Sequence, residues 1–180
     1  MKKAGSKAVP TARGGPKGKA VPGKKLREPA EVQAGLFMGS QRSSGNVDYL
    51  RSLNITHILS VGVDTLHPTE FTHKRIKGLQ DADTSDLLSR LPECIAFIEE
   101  ALQAGSGVLV HCQGGISRSA AVVVGFLVHS NRDLSANEAL ALLHQSRPTA
   151  RPRPAFLEQV EAYRRSLLAT ASAQPPPTTK

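Results

Sequence analysis

The order of apolar patterns along this 180-residue chain predicts an α/β fold, a central mixed, mainly parallel sheet flanked by helices. Three observations carry that expectation. Short runs rich in β-branched residues, Ile55 to Val61 and Val108 to Val110, read as buried strands. Stretches with helical periodicity lie between and after them, the longest from about Leu87 to Ala104. Finally, the second apolar run passes through a loop with two glycines straight into a third, Ala120 to Val128, the pattern of a strand, a tight loop and a buried helix.

Taken in order, Val32 to Met38, with Leu36, Phe37 and Met38 apolar, is expected as the first strand. Asn46 to Leu53 gives a short helix with Val47, Leu50 and Leu53 on one side. Ile55 to Val61 is a buried strand, residues 62–72 are polar and turn-like, and Arg75 to Leu79 is expected as a short edge strand. The acidic segment Gln80 to Asp86 precedes a helix whose stripe holds Cys94, Phe97, Ile98, Ala101 and Leu102, with Asp86 expected as its N-cap. Val108 to Val110 is the central strand, and the helix over 120–128 is apolar nearly all round and so must be buried. Ser135-Ala136-Asn137-Glu138 has the capping-box pattern and opens a helix that turns Ala136, Leu140 and Leu143 inward. A last helix starts with Pro154 in its first turn and places Phe156, Val160, Tyr163 and Leu167 on one face.

Charge divides the chain into parts. The formal charge of +8 belongs entirely to residues 1–30, where nine Lys and Arg face the single acid Glu28; residues 31–180 are neutral in sum. Residues 1–29, Gly-, Pro- and Ala-rich and without an aromatic residue, are expected as a basic disordered tail, because they cannot bury enough apolar surface to offset their ordering entropy. The tail reads as a solvated leader or as a segment for import machinery or nucleic acid, with Lys24-Lys25-Leu26-Arg27 its densest cluster. Without aromatics, nucleic-acid contact would be limited to salt-sensitive phosphate pairing. Residues 30–170 form the folded domain, and 171–180, with three consecutive prolines, a second disordered tail. No apolar run approaches the roughly 20 residues of a membrane span. Two cysteines, Cys94 and Cys112, make no disulfide framework, which favours a reducing setting, cytoplasmic, nuclear or both.

The chemistry concentrates between Cys112 and Ser119. Gly114 and Gly115 allow the backbone to curl so that successive N–H groups point into one concavity, and a helix starting near Arg118 adds the positive end of its dipole. Such a nest, lined by Gln113, Gly114, Gly115, Ile116, Ser117 and Arg118, suits a tetrahedral dianion. Arg118 supplies a planar fork for two phosphate oxygens at once. Cys112 at its mouth sits where oriented N–H groups favour the thiolate, so its pKa is expected below the free value of about 8.5. On its own, a cysteine ending a core strand is more simply read as an inert buried hydrophobe. The concurrence of His111, both glycines, Arg118 and Ser119 reverses that reading.

This loop, His111-Cys112-Gln113-Gly114-Gly115-Ile116-Ser117-Arg118-Ser119, resembles the signature of the cysteine-dependent protein phosphatases, and its ending resembles the dual-specificity branch, small atypical type. The resemblance covers roughly residues 31 to 168. It includes Gly35-Leu36-Phe37-Met38-Gly39, Ile55-Thr56-His57-Ile58-Leu59, and the late pattern Arg147-Pro148-x3-Pro152-x3-Phe156-x2-Gln159. It implies a protein phosphatase fold with its active loop at the end of the central strand, acting on phosphotyrosine and phosphoserine or phosphothreonine through a phosphocysteine on Cys112. It also implies a general acid some thirty residues upstream. Asp81, 31 positions before Cys112 in the pattern Asp81-x4-Asp86-Leu87-Leu88, fits that place, with Asp83 the rival and an ordinary loop carboxylate the plain alternative. By the same resemblance Ser119 hydrogen-bonds the departing thiolate, and His111 fixes the loop and helps lower the cysteine pKa; a satisfied core histidine is the other reading of His111. The family commonly carries Asn where this chain has Arg153. That replacement leads to the expectation that Arg151 and Arg153 add positive potential near the substrate.

No cofactor and no metal is expected, since the remaining histidines show no paired ligand spacing. The loop lacks the lysines of phosphoinositide-directed relatives, which favours a phosphoprotein partner over a non-protein phosphate ester. Competing classes are a catalytically silent phosphoprotein-binding module of the same fold, a rhodanese-like sulfur transferase, whose active loop is shorter, and a nucleic-acid binder working through its basic tail.

Overall fold

A computed structural model describes residues 29–172; the tails expected over 1–29 and 171–180 lie, apart from Pro29, Ala171 and Ser172, outside the described residues. The strands are β1 Ala30–Gln33, β2 Leu36–Ser40, β3 Ile55–Val61, β4 Thr72–Ile76 and β5 Gly107–Cys112. They make one sheet in the order β1-β2-β5-β3-β4, with β2, β5, β3 and β4 parallel and β1 antiparallel to β2. The helices are α1 Val47–Ser52, α2 Leu91–Gln103, α3 Arg118–Ser130, α4 Ala136–Ser146 and α5 Pro154–Ser172. The mixed, mainly parallel sheet flanked by helices is thus the fold class read from the sequence.

Strand alternation sorts the core into two layers. Leu36 and Met38 of β2, Leu59 and Val61 of β3, and Val108, Val110 and Cys112 of β5 pack with α2 to α5. Phe37, Ile58 and Leu109, on the opposite face, pack with Leu50 of α1, Ile55 and Phe71. Cys112 therefore ends the central strand on the helix-rich side. Helix α3 is buried without interruption from Ser119 to Val128 and packs against α2, α4 and α5, which explains its unbroken apolar sequence. Each buried Val, Leu or Phe there contributes about 1.5–3 kcal/mol, against about 1 kcal/mol for a typical hydrogen bond, so packing of α3 is what fixes the loop that precedes it.

Several expectations change in detail. The first strand is a hairpin of two, β1 and β2, because Gly35 takes a positive φ of 77° in a two-residue turn between paired Gln33 and Leu36. The edge strand is Thr72–Ile76 and not 75–79: its parallel register runs from His57↔Thr72 to Val61↔Ile76, and its polar, largely exposed face is one that an edge strand tolerates and an apolar-run reading overlooks. Helix α2 begins at Leu91, after a 3-10 turn over Leu88–Arg90, since Pro92 belongs in a first turn. Asp86 accepts a hydrogen bond from the Ser89 N–H at 3.0 Å, so it caps that turn and not α2 itself. In α4 the capping box forms as expected, but Ala139 is fully buried and Leu140 only partly so.

Candidate active site

The loop from Cys112 to Arg118 leaves β5 and enters α3. Gly115, buried with φ of 63°, makes its sharp turn; a Cβ there would stand 2.5 Å from the Gly39 carbonyl oxygen and 2.8 Å from Nη2 of Arg147. Gly114 differs. It is exposed, and a Cβ would meet only Ile116 at ordinary contact distance, so one glycine and not two enforces the curl. Ser117 precedes the first turn of α3 but does not cap it with its side chain, so the N–H groups of that turn face the loop uncapped by it.

Cys112 is 2% exposed and its Sγ lies 3.2 Å from Oγ of Ser119. Burial pushes the thiol pKa up, but the Ser119 hydroxyl and the N–H groups of Ser119, Ile116 and Gly115 outweigh it, and the pKa falls below the ordinary thiol range. Arg118 spans the floor of the site: its Nη1 donates to the carbonyls of Gly62 (3.0 Å) and Leu79 (3.4 Å), while its Nε is buried without a partner. Gly62, with φ of 66°, leaves the space in which that fork lies, since a Cβ there would collide with both the Leu79 carbonyl and Arg118.

His111 points to the other face of the sheet, fully buried, with Nε2 2.7 Å from Oγ of Ser60. Ser60 in turn lies 3.0 Å from Nε2 of the half-buried His73. Burial holds the His111 pKa down to about 4, so at neutral pH the ring carries no charge toward the thiolate.

Asp81 reaches the loop from the segment ahead of α2. Its Oδ1 accepts from Oγ of Ser117 at 2.7 Å and from Nε of Arg153 at 3.0 Å; Nη1 of the same arginine donates to Oδ1 of Asp83 at 3.2 Å. The positive potential expected of Arg153 is therefore offset by two carboxylates, whose charge its fork faces directly. The backbone of Arg151 does lie against the loop, its N–H donating to the Ile116 carbonyl at 2.7 Å. Three residues, Gln113, Gly114 and Ile116, form the exposed rim.

Several contributors were not legible as functional from the sequence. Gly62 and Ser60 sit at the carboxyl end of β3 with no motif around them, and the one available signal is that β3 ends beside β5. Arg147, 4% exposed, donates from Nη2 to the Gly115 carbonyl at 3.3 Å, and among the described residues no carboxylate pairs with it. Desolvation lowers its pKa, and the negative charge of the Cys112 thiolate pulls the other way. Gln159 of α5 takes the N–H groups of Leu87 (2.7 Å) and Leu88 (2.9 Å) on Oε1 and donates to the Ser85 carbonyl at 3.0 Å. The late pattern from Arg147 to Gln159 is thus a bracket that touches both the cysteine loop and the acid loop. Cys94, by contrast, is buried in the core of α2, and burial first and Glu93 second push its thiol up to about 12.

An anion nest with a stabilised thiolate, on this sheet order, defines a class, and the comparisons agree with it. The family model "Dual specificity phosphatase, catalytic domain" matches residues 36–166, and the chain belongs to that family. It is similar to "Dual specificity protein phosphatase 1B" of Arabidopsis thaliana, 38% identical over 144 residues, covering 79% of this chain and 85% of the relative. It is also similar to "Dual specificity protein phosphatase 19" of Mus musculus, 41% identical over 134 residues, covering 73% and 60%. Among solved structures, human DUSP28 superposes with a TM-score of 0.72 at 30% identity, covering 78% of this chain and 95% of that one. A mouse putative dual specificity phosphatase complexed with zinc tungstate gives 0.74 at 28% identity, covering 91% and 97%. The protein is a dual-specificity protein phosphatase.

Proposed function

We propose that the protein hydrolyses phosphotyrosine and phosphoserine or phosphothreonine in proteins by two covalent steps on Cys112. The observation that carries this is the environment of the sulfur, where one hydroxyl and three backbone N–H groups converge on a buried thiol and outweigh the cost of its charge. In the first step the thiolate attacks phosphorus in line, and an S–P bond forms as the P–O bond to the leaving group breaks. Arg118 through its unpartnered Nε, and the N–H groups of the loop from Gln113 to Arg118, hold the equatorial oxygens. Asp81 gives its proton to the departing oxygen, without which an alkoxide would be a very poor leaving group. In the second step Asp81 takes a proton from water, the water oxygen attacks phosphorus, and the S–P bond breaks to return the thiolate, which the Ser119 hydroxyl receives. His111, neutral and tied to Ser60, acts by holding the loop. A cytoplasmic or nuclear setting, where the thiol stays reduced, belongs to the same reading, as does electrostatic contact of the basic residues 1–30 with import machinery or nucleic acid.

The test is hydrolysis of an aryl phosphate without added metal. The Cys112→Ser variant is expected to lose all turnover. Asp81→Asn is expected to fall on the order of 100-fold on a poor leaving group and far less on a good one. Phosphate release that survives in Cys112→Ser would end the proposal. A wild type that binds phosphopeptide but never turns over would make the fold a recognition module.

A further inference from the structure

We propose that Arg153 is a positioning residue for the general acid: its fork holds the Asp81 carboxylate by one oxygen, so that the other, Oδ2, faces the leaving group. The inference rests on the reading of Asp81 as that acid. Both donors that reach Asp81, the Ser117 hydroxyl and the Arg153 Nε, land on the same atom, Oδ1. An oxygen that accepts two hydrogen bonds is the poorer place for a proton, so in the acid form the proton resides on Oδ2. Two donors from different segments also fix the plane of the carboxyl group. Ser117 alone would leave it free to rotate.

The acid loop needs such help. From Gln80 to Asp86 its own backbone supplies one closing bond, Ser85 N–H to the Ala82 carbonyl at 3.1 Å, and most of it is exposed. Beyond the Ser117 hydroxyl on Asp81 and the Ser89 N–H on Asp86, its restraint comes from Arg153, just ahead of α5, and Gln159 within it. Arg153 grips Asp81 and Asp83 at one end, and Gln159 grips Ser85, Leu87 and Leu88 at the other. Arg153 is itself well seated, since its carbonyl accepts the first helical bonds of α5, from the N–H groups of Phe156 (3.0 Å) and Leu157 (3.2 Å). The pairs are poor candidates for a stabilising role. Arg153, Asp81 and Asp83 expose 41%, 44% and 66% of their side chains, and ion pairs so open to water contribute little to folding. What remains is geometry at the reacting end.

Leaving-group dependence separates positioning from mere structure, because only general-acid transfer depends on the basicity of the departing oxygen. We would measure kcat/KM, which reports the steps up to formation of the phosphocysteine and so excludes its hydrolysis, for phenyl phosphate and 4-nitrophenyl phosphate with wild type, Arg153→Ala, Asp81→Asn and the double variant. Arg153→Ala is expected to lose on the order of tenfold in kcat/KM with phenyl phosphate and stay within about twofold with 4-nitrophenyl phosphate. In the double variant Arg153→Ala should add nothing to the loss from Asp81→Asn. No loss on phenyl phosphate, an equal loss on both substrates, or additive losses would each overturn the proposal. If Asp81→Asn itself shows no leaving-group bias, the acid assignment fails instead, and the two failures are distinct.

Discussion

The cysteine loop and the acid loop meet at one hydrogen bond, Ser117 to Asp81, yet they are held largely by different means. The first is one contiguous segment shaped mainly by its own backbone, a left-handed Gly115 and the packing of α3 behind it, with Arg147 and the Arg151 N–H as added outside contacts. The second is an exposed segment fastened by side chains that arrive from more than 70 residues away, Arg153 and Gln159. The difference follows from what each must do. On the proposed mechanism, the nest has to present several N–H groups at fixed positions and tolerates almost no displacement, whereas the acid has to deliver one proton and recover it.

That contrast can be broken at either loop. The largest effect is expected from Gly115→Ala, where the added methyl meets the Gly39 carbonyl and Arg147 and the backbone is strained as well. Turnover should fall by at least two orders of magnitude and stability by about 2–3 kcal/mol. A variant that keeps its melting temperature and its rate would show that the nest is softer than its geometry implies. Gln159→Leu comes next. It releases the far end of the acid loop, and turnover on a poor leaving group should drop several-fold while stability changes by about 1 kcal/mol. Collapse of the fold in this variant would erase the distinction between the loops. Ser119→Ala is the mildest. It removes a hydrogen bond that favours the thiolate, so the Cys112 pKa rises and the midpoint of iodoacetate alkylation against pH moves upward. An unchanged midpoint would mean that the backbone N–H groups alone set the thiolate.

The same division decided what could be read before the fold was known. The anion nest was legible because its parts are adjacent in the chain: a cysteine, a glycine and an arginine at fixed spacing state their geometry locally. Helix α3, marked by its unbroken apolar run, and α5, marked by Pro154 in its first turn and one apolar face, were legible for the same reason. The hairpin between β1 and β2 was missed because Gly35 interrupts an apolar run without any other turn residue, and β4 because a polar edge strand has no apolar signature. Arg153 is legible as a departure from the family pattern, but its partners are not: no local property of the late segment reveals that the carboxylates at 81 and 83 will face it.

The burial of Cys94 has a practical side. Both thiols are buried, but with one pushed up to about 12 inside the core of α2 and the other drawn down in the nest, the two cysteines differ sharply in thiolate character. At neutral pH a thiol-directed reagent added to the folded protein should stop at one equivalent per chain. Active sites in a preparation can thus be counted by labelling alone, and specific activities from different variants placed on a common molar scale.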